Sequence, residues 1–176
     1  MAVSIKEVAL RTIELEAQSV SGLASFINSD FEKAVQAIAA AKGRVVVSGI
    51  GKSAVIAQKI VATFNSTGTP SIFMHAADAI HGDLGMIQQE DVVIIISKSG
   101  ESPEIKVLVP LIRNFGNILI GMVGSTKSYL AKNSTIILNT TVEQEACPNN
   151  LAPTSSTTAQ LVMGDAMAIC LMELKG

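Results

Sequence analysis

The chain has no tryptophan and few other aromatic residues, and it lacks an excess of positive charge. Aromatic residues make up 3% of the 176 residues, and the formal net charge is −2. Proteins that bind nucleic acids present basic patches, and many add aromatic rings on which bases stack. Because neither feature is available here, we expect no nucleic-acid partner.

Cysteines and long apolar segments are scarce as well. The two cysteines, Cys147 and Cys170, fall in a polar loop and in an apolar helical segment, with neither a disulfide framework nor metal-ligand spacing. Charges throughout the first 18 residues argue against a secretion signal, and no later apolar run reaches the length of a membrane span. These absences predict a soluble protein of a reducing cytoplasm, with no membrane partner.

What the sequence does contain is a succession of short apolar runs. Hydrophobic residues make up 48% of the chain, which is typical of a sheet enclosed by helices. The runs alternate with helical patterns or loops, which predicts a doubly wound α/β fold with parallel strands. The run "DVVIIIS" shows no alternation of polar and apolar residues and is predicted to be central. The five predicted strands are Arg44–Val47, Ser71–Met74, Asp91–Ile96, Ile118–Val123 and Thr135–Leu138.

Helices are predicted before and after this sheet. The first covers residues 3–28, and a second begins at the capping-box spacing of Ser29 and Glu32 and ends at Lys42 and Gly43. A long polar loop precedes the final helix, Ala159–Leu174, and loops of that length are usually functional. We expect one domain over residues 1–176, with N-terminal helices in 3–42, a sheet core in 44–140, and a site loop with its helix in 141–176.

The segment "SGIGKS", residues 48–53, follows the first strand and is typical of a phosphate-binding turn. A Walker A loop requires glycine five residues before the Gly-Lys pair, but that position is Val46. The segment matches G-x-G-x-x-A, yet the second strand ends in "FMH", and Asp78 comes too late for the acidic residue of a dinucleotide fold. Both a nucleoside triphosphate and a dinucleotide are therefore disfavoured.

A second polar segment, "SKSGES", follows the third strand and favours a phosphate monoester. It offers three hydroxyls and flexible backbone at Gly100, and Pro103 marks the start of a helix. Hydroxyls, amides and a helix N-terminus together suit a phosphate group. The alternative is that the serines only form a turn and a helix cap. The candidate phosphate ligands are Gly51, Ser53, Ser97, Lys98, Ser99, Ser102 and Thr154.

These segments carry a resemblance to a known family. "SGIGKS", "HGDLGMI", "ISKSGES" and "EACPNNLAPTSSTTAQLVMGDAMA" resemble the sugar isomerase (SIS) domains and, within them, the arabinose-5-phosphate isomerases, from about residue 5 to the end. The resemblance implies a three-layer αβα sandwich around a mainly parallel five-stranded sheet of flavodoxin-like type. It also implies interconversion of D-ribulose 5-phosphate and D-arabinose 5-phosphate through an enediol, without metal or organic cofactor, for the Kdo sugar of lipopolysaccharide.

The same resemblance implies catalytic roles for Lys52, Glu101 and Glu145. An aldose–ketose isomerase needs a base, a donor for the developing oxyanion and a firm hold on the phosphate. Either glutamate could be the base; we prefer Glu145 as proton carrier, with Glu101 orienting the sugar. Lys52 is expected to stabilise the enediolate or bind phosphate. His81 is a candidate acid or hydroxyl ligand, and a structural hydrogen bond is its alternative role.

Two further expectations concern the complete protein. Close relatives usually continue into a histidine-containing "HPGG" segment and often a pair of CBS domains, neither of which is in this sequence. Three interpretations stay open: a longer chain supplies that histidine, His81 substitutes for it, or the chain does not catalyse. The alternative function is a non-catalytic module that senses a sugar phosphate, although such a module has no need of paired glutamates.

Assembly into a homodimer or homotetramer is also expected. The first helix carries apolar residues on more than one face, so one face is left for a partner. These residues are Val3, Ile5, Val8, Leu10, Ile13 and Leu15. Members of the family place active sites at subunit interfaces, which the resemblance implies here.

Overall fold

Five apolar segments form a parallel sheet with helices on both faces, in the computed structural model that describes residues 4–176. The strand order is β2-β1-β3-β4-β5, which confirms the predicted α/β sandwich and the central place of the third strand. The strands are β1 Val45–Gly49, β2 Ser71–His75, β3 Val92–Ser97, β4 Ile118–Val123 and β5 Ile136–Asn139. The helices are α1 Ile5–Gly22, α2 Ser29–Ala40, α3 Lys52–Ser66, α4 Ala76–Ala79, α5 Pro103–Phe115, α6 Tyr129–Asn133 and α7 Ser155–Lys175, with 3-10 turns at Leu23–Phe26 and Asp83–Met86.

The strands lack polar alternation because both sheet faces are covered. Val45 and Val47 point into a core with α2, α3 and α7, whereas Val46 points into a second core with α4, α5 and α6. Every residue of β1 and β3 is buried. This double burial explains why "DVVIIIS" is apolar along its whole length.

Two helix starts differ from the predicted ones. The N-cap of α2 is Asn28 rather than Ser29, since the Asn28 side chain accepts hydrogen bonds from the amides of Asp30 and Phe31 at 2.9 and 3.2 Å. Asparagine is as good an N-cap as serine, so Asn28, the first of the two residues along the chain, caps the start of the helix. The final helix begins at Ser155, four residues before the expected Ala159, because a carboxylate from outside the helix accepts amide hydrogen bonds at this end.

The first helix is shorter than predicted and lies on the outside of the molecule. It ends at Gly22, and a 3-10 turn replaces its last part; residue 3 of the predicted span lies outside the described residues. No residue of α1 is fully buried, and Ile5 and Ile13 are 86% and 66% exposed. A hydrogen bond of 2.9 Å from Thr158 to Glu16 joins α1 to α7.

Close packing joins α7 to α3. A Cβ atom at Gly164 of α7 would lie 2.5 Å from Cδ1 and Cγ1 of Ile60 in α3. An ion pair of 2.6 Å between Lys59 and Asp165 flanks the same contact. Glycine therefore sets the distance between the two helices at this point.

A buried carboxylate fixes the amino ends of β1 and β3. Asp91, whose side chain is 1% exposed, accepts hydrogen bonds from the amides of Arg44 and Gln88 at 2.7 and 2.9 Å and pairs with the Arg44 guanidinium at 3.2 Å. Burial tends to raise the pKa of Asp91, but these hydrogen bonds outweigh it and lower that pKa. The Asn117 amide bridges neighbouring carbonyls, including that of Asp91 at 2.8 Å. No helix of the described residues is long and apolar enough to cross a bilayer.

Candidate functional site

The strand order creates a crevice at the carboxyl ends of β1 and β3. The connection from β1 leads to β2 on one side, and the connection from β3 leads to β4 on the other. In open parallel sheets, ligands bind at this kind of switch point. Residues 49–53 follow β1, residues 97–102 (the serine loop) follow β3, and residues 140–154 (the β5–α7 loop) follow β5.

The turn after β1 is tight, and glycine permits it. Gly51 has a φ of +58°, and a Cβ at Gly49 would lie 3.0 Å from the Ser53 carbonyl group. The turn leads directly into α3, whose first residue is the exposed Lys52. The Ser53 hydroxyl lies 3.2 Å from the buried Gln160 side-chain oxygen, to which it donates. The turn is thereby attached to α7.

The serine loop folds back on its own hydroxyls. Ser97 Oγ accepts the Gly100 amide at 3.0 Å, and Ser99 Oγ accepts the Glu101 amide at 3.3 Å. Ser102 is the N-cap of α5, and Pro103 begins that helix, as predicted. The Ser102 hydroxyl is buried, and no described residue hydrogen-bonds it. The loop therefore presents several hydroxyls and the N-terminus of a 13-residue helix at one place.

Glu145 connects the serine loop to the N-terminus of α7. One carboxylate oxygen pairs with the Lys98 ammonium at 2.6 Å, and the other accepts the amides of Thr154 and Ser156 at 2.8 and 3.1 Å and the Thr154 hydroxyl at 3.1 Å. The Glu145 side chain is 0% exposed. Burial alone would raise its pKa, but the hydrogen bonds from Lys98 and the two amides prevail and lower it to about 2. At neutral pH this carboxylate is ionised and weakly basic.

Glu101 is engaged on the other side of the serine loop. Its carboxylate pairs with Lys106 at 2.8 Å and accepts the Tyr129 amide at 2.6 Å. Lys106 and the Tyr129 amide lower the pKa of Glu101. The two glutamates singled out in the sequence therefore have separate sets of partners, and each has both oxygens occupied.

The candidate His81 and two further titratable side chains, His75 and Glu143, take no part in this network. His81 is exposed between α4 and the following 3-10 turn, and its backbone amide donates to the Asp78 carbonyl at 2.9 Å. His75 Nδ1 lies 3.8 Å from Asp78 Oδ2. Glu143 is exposed. No cluster of three or more His, Cys, Asp or Glu side chains within 4–176 could hold a metal ion.

Sequence analysis did not single out two contributors to this site, nor a carboxylate in the first turn of the helix that follows the serine loop. Gln160 holds Ser53, and the Asn150 side chain accepts the Glu145 amide at 2.7 Å. Glu104, in the first turn of α5, is half-buried and takes part in none of the ion pairs found within the described part of the chain. The position of Glu104 next to Pro103 at the helix start is the sequence signal that identifies it.

Comparisons with known proteins agree with this fold. The model of the SIS domain family matches residues 37–170. The chain is 54% identical over 168 residues to arabinose 5-phosphate isomerase KdsD of Pseudomonas aeruginosa, covering 96% of this chain and 52% of that protein. It is 48% identical over 164 residues to the protein of the same name from Escherichia coli K12, covering 93% of this chain and 50% of that one.

A solved structure is similar along nearly the whole chain. It is a protein from E. coli CFT073 in complex with arabinose 5-phosphate, with a TM-score of 0.93 at 41% identity, covering 97% of this chain and 91% of that one. The chain spans about half the length of the curated relatives it matches.

Proposed function

The chain belongs to the SIS domain family, and from this premise we propose that it interconverts D-arabinose 5-phosphate and D-ribulose 5-phosphate. In this reaction a base removes the C2 proton of the aldose, an enediolate forms, and a proton is delivered to C1. The observation that carries the proposal is the high identity, along almost the whole chain, to proteins named as arabinose 5-phosphate isomerases.

The phosphate group is assigned to the carboxyl ends of β1 and β3. The serine loop offers hydroxyls beside the start of α5, and the turn after β1 offers amides beside the start of α3. The N-terminus of α7 is a less suitable anion site, because the Glu145 carboxylate already occupies its amides. The assigned ligands are Gly51, Ser53, Ser97, Lys98, Ser99 and Ser102, with Thr154 contacting the substrate from the β5–α7 loop.

Lys52 is assigned to the developing enediolate. A cation gains nothing from the dipole at a helix N-terminus, so its exposed position at the start of α3 favours a ligand over a structural role. A positive charge aimed at the oxyanion stabilises the transition state.

The group that carries the proton is one of the carboxylates or His81. Glu145 was preferred on sequence grounds, but a carboxylate with a pKa of about 2 takes up a proton poorly at neutral pH. Glu145 can act as the base only if Lys98 leaves it during catalysis. Among residues 4–176 no ion pair involves Glu104 or His81, and both join Glu101 and Glu145 as groups to be tested.

We further propose a cytoplasmic homodimer or homotetramer that needs no metal or organic cofactor and supplies Kdo synthesis. The exposed isoleucines of α1 support an interface between subunits, since a water-exposed apolar stripe usually marks a contact surface. Light scattering that shows a fully active monomer at micromolar concentration would contradict the assembly.

Proton exchange at C1 and C2 tests the function directly. The purified protein, treated with chelator, is expected to exchange the C2 proton of D-arabinose 5-phosphate with solvent deuterium and to yield D-ribulose 5-phosphate that carries one solvent deuterium at C1, as followed by proton NMR. A base variant is expected to lower the exchange rate by about a hundredfold while phosphate-ester affinity stays near wild type. The base variants to compare are His81→Gln, Glu101→Gln, Glu104→Gln and Glu145→Gln, and Lys52→Met tests the separate role at the enediolate.

Two outcomes separate the remaining interpretations. If this chain binds the sugar phosphate without exchange, and a version extended by an "HPGG"-type segment does exchange, a catalytic group lies beyond residue 176. If neither exchanges, and the ligand instead changes association with another protein, the sensor function replaces the isomerase.

A further inference from the structure

The serine loop rests on a neighbouring segment that belongs to neither phosphate-binding turn. This segment, residues 124–130, leads from β4 into α6 and is called the β4–α6 segment. The Gly124 amide donates to the Lys98 carbonyl at 3.1 Å, and the Leu130 amide donates to the Gly100 carbonyl at 3.0 Å. The backbone of the serine loop is thus bonded to the β4–α6 segment at two points.

The serine loop and the β4–α6 segment also pack closely against each other. Gly100 has a φ of +63°, and a Cβ there would collide with the Ser128 hydroxyl and lie 2.6 Å from the Ser128 Cβ. A Cβ at Gly124 would lie 2.8 Å from the Lys98 carbonyl oxygen. Only glycine permits this approach, so the conformation of the serine loop depends on the position of the β4–α6 segment.

Glu101 makes the third connection between these two segments, through its side chain. Its carboxylate reaches the Tyr129 amide at 2.6 Å and Lys106 at 2.8 Å, and the Lys106 ammonium lies 5.9 Å from the centre of the Tyr129 ring. Tyr129 is the first residue of α6, so the carboxylate satisfies an amide that has no partner inside its own helix. Lys106 also offsets the charge that an isolated carboxylate would present to a phosphate dianion.

We propose that Glu101 is a positioning residue that ties the serine loop to the β4–α6 segment and thereby sets the affinity for phosphate, without taking part in proton transfer. This rests on the proposed function only in assigning phosphate to the serine loop. The hydrogen bond from the Tyr129 amide needs an acceptor oxygen at the full length of a glutamate side chain. The charge matters less, because the Glu101 and Lys106 side chains are 49% and 47% exposed.

Three substitutions at position 101 distinguish the effects of side-chain length, of the carboxylate charge and of proton transfer. Glu101→Gln keeps an oxygen at the right length, Glu101→Asp keeps the charge but shortens the side chain, and Glu101→Ala removes both. We expect Glu101→Asp and Glu101→Ala to weaken binding of inorganic phosphate by about tenfold, and Glu101→Gln to stay within about threefold of wild type. In both weakened variants hydrogen exchange of the Tyr129 amide is expected to accelerate, and kcat at saturating substrate to change less than KM.

The control is Glu90→Gln, which removes a carboxylate from an exposed position near the amino end of β3, at the far end of the strands from the serine loop. It is expected to match wild type in phosphate affinity and in Tyr129 exchange. Lys106→Gln removes the ion pair but leaves the bond to Tyr129, and a change within about threefold is expected for its phosphate affinity.

Other results would overturn the positioning role. If Glu101→Gln and Glu101→Ala both lower kcat about a hundredfold and leave phosphate affinity unchanged, Glu101 carries a proton. If Glu101→Asp binds phosphate as wild type does, the reach of the side chain is irrelevant and the inference fails. Phosphate titration and amide exchange decide the matter even if the wild-type protein turns over no sugar, so a failure of the proposed isomerase activity is distinguishable. Glu101→Asp suffices if the alanine variant does not fold.

Discussion

The ionised carboxylate of Glu145 is stabilised by contacts that exist only in the folded chain. Its pKa falls from an ordinary 4.5 to about 2, since the hydrogen bonds from Lys98 and the α7 amides outweigh the effect of burial. A carboxyl group with a lowered folded pKa stabilises the protein above its unfolded pKa, and this stabilisation is lost as the pH falls towards the folded value. The pH window for Glu145 therefore lies between about 5 and 2.

The substitution Glu145→Gln isolates this contribution to stability. Wild type is expected to lose about 3 kcal/mol more of its free energy of unfolding between pH 6 and pH 2 than the variant does. Urea unfolding followed by circular dichroism at a series of pH values measures the difference. Asp91 titrates in both proteins and so cancels from the comparison.

The matched control is Glu143→Gln, which neutralises an exposed glutamate two residues earlier in the same loop. It is expected to keep the pH dependence of wild type. Identical pH dependence in wild type and Glu145→Gln would show that the Glu145 contacts do not persist in solution.

Sequence motifs could nominate individual residues of the candidate site, but they could not predict which residues those side chains contact in the fold. Serines after the third strand were proposed as phosphate ligands from motif and strand position, and a role for Lys52 after the first strand was implied by the family resemblance. The partners of Glu145 could not be identified, because Lys98 is 47 residues away in the sequence and only the fold brings them together. The same applies to Glu101, whose partner Tyr129 lies 28 residues further along the chain.

Among the elements, α7 depends on a glycine in its interior. Glycine in a helix costs up to about 1 kcal/mol relative to alanine, so Gly164 needs a packing reason. That reason is Ile60, whose side-chain atoms fill the position of the missing Cβ. Gly164→Ala should lower the free energy of unfolding by about 1–3 kcal/mol, because the contact is overpacked.

Shortening the opposing side chain tests this explanation. Ile60→Ala removes Cδ1 and both Cγ atoms that a Cβ at Gly164 would meet, and on its own it should cost about 2–5 kcal/mol. In the double variant the two changes should compensate, so that the combined loss is smaller than the sum of the single losses. Additive losses in thermal unfolding would show that Ile60 is not the source of the strain.

The positions of strands could be predicted where burial on both faces requires an unbroken run of apolar residues. The five strands follow from apolar runs, since each has both faces covered. The start of α7 was placed too late, because residues 155–158 are polar and the carboxylate that caps them comes from another part of the chain. Asn28 replaced Ser29 as a cap for a local reason, because either side chain can accept the first amides of the helix.

On the scale of the whole molecule, the carboxyl ends and the amino ends of the strands have different roles. The carboxyl edge carries the candidate site, whereas the amino edge is held by Asp91 between the starts of β1 and β3. Asp91→Asn should therefore lower the free energy of unfolding by about 2 kcal/mol, because a buried charge-assisted contact is lost. Phosphate affinity should stay at the wild-type value, which titration calorimetry can measure; a parallel loss of affinity would show that the edges are coupled.

The strand order also determines when the core can close during synthesis. On the ribosome, β1 is complete at residue 49, but its neighbour β3 ends at residue 97, and α7, which covers the same sheet face, begins only at residue 155. Chains are made at about 5–20 residues per second, and exposed apolar surface in incomplete chains favours aggregation. The nascent sheet therefore has an uncovered apolar face from the time β1 and β3 are complete until α7 emerges, and over that interval the incomplete chain is prone to aggregation.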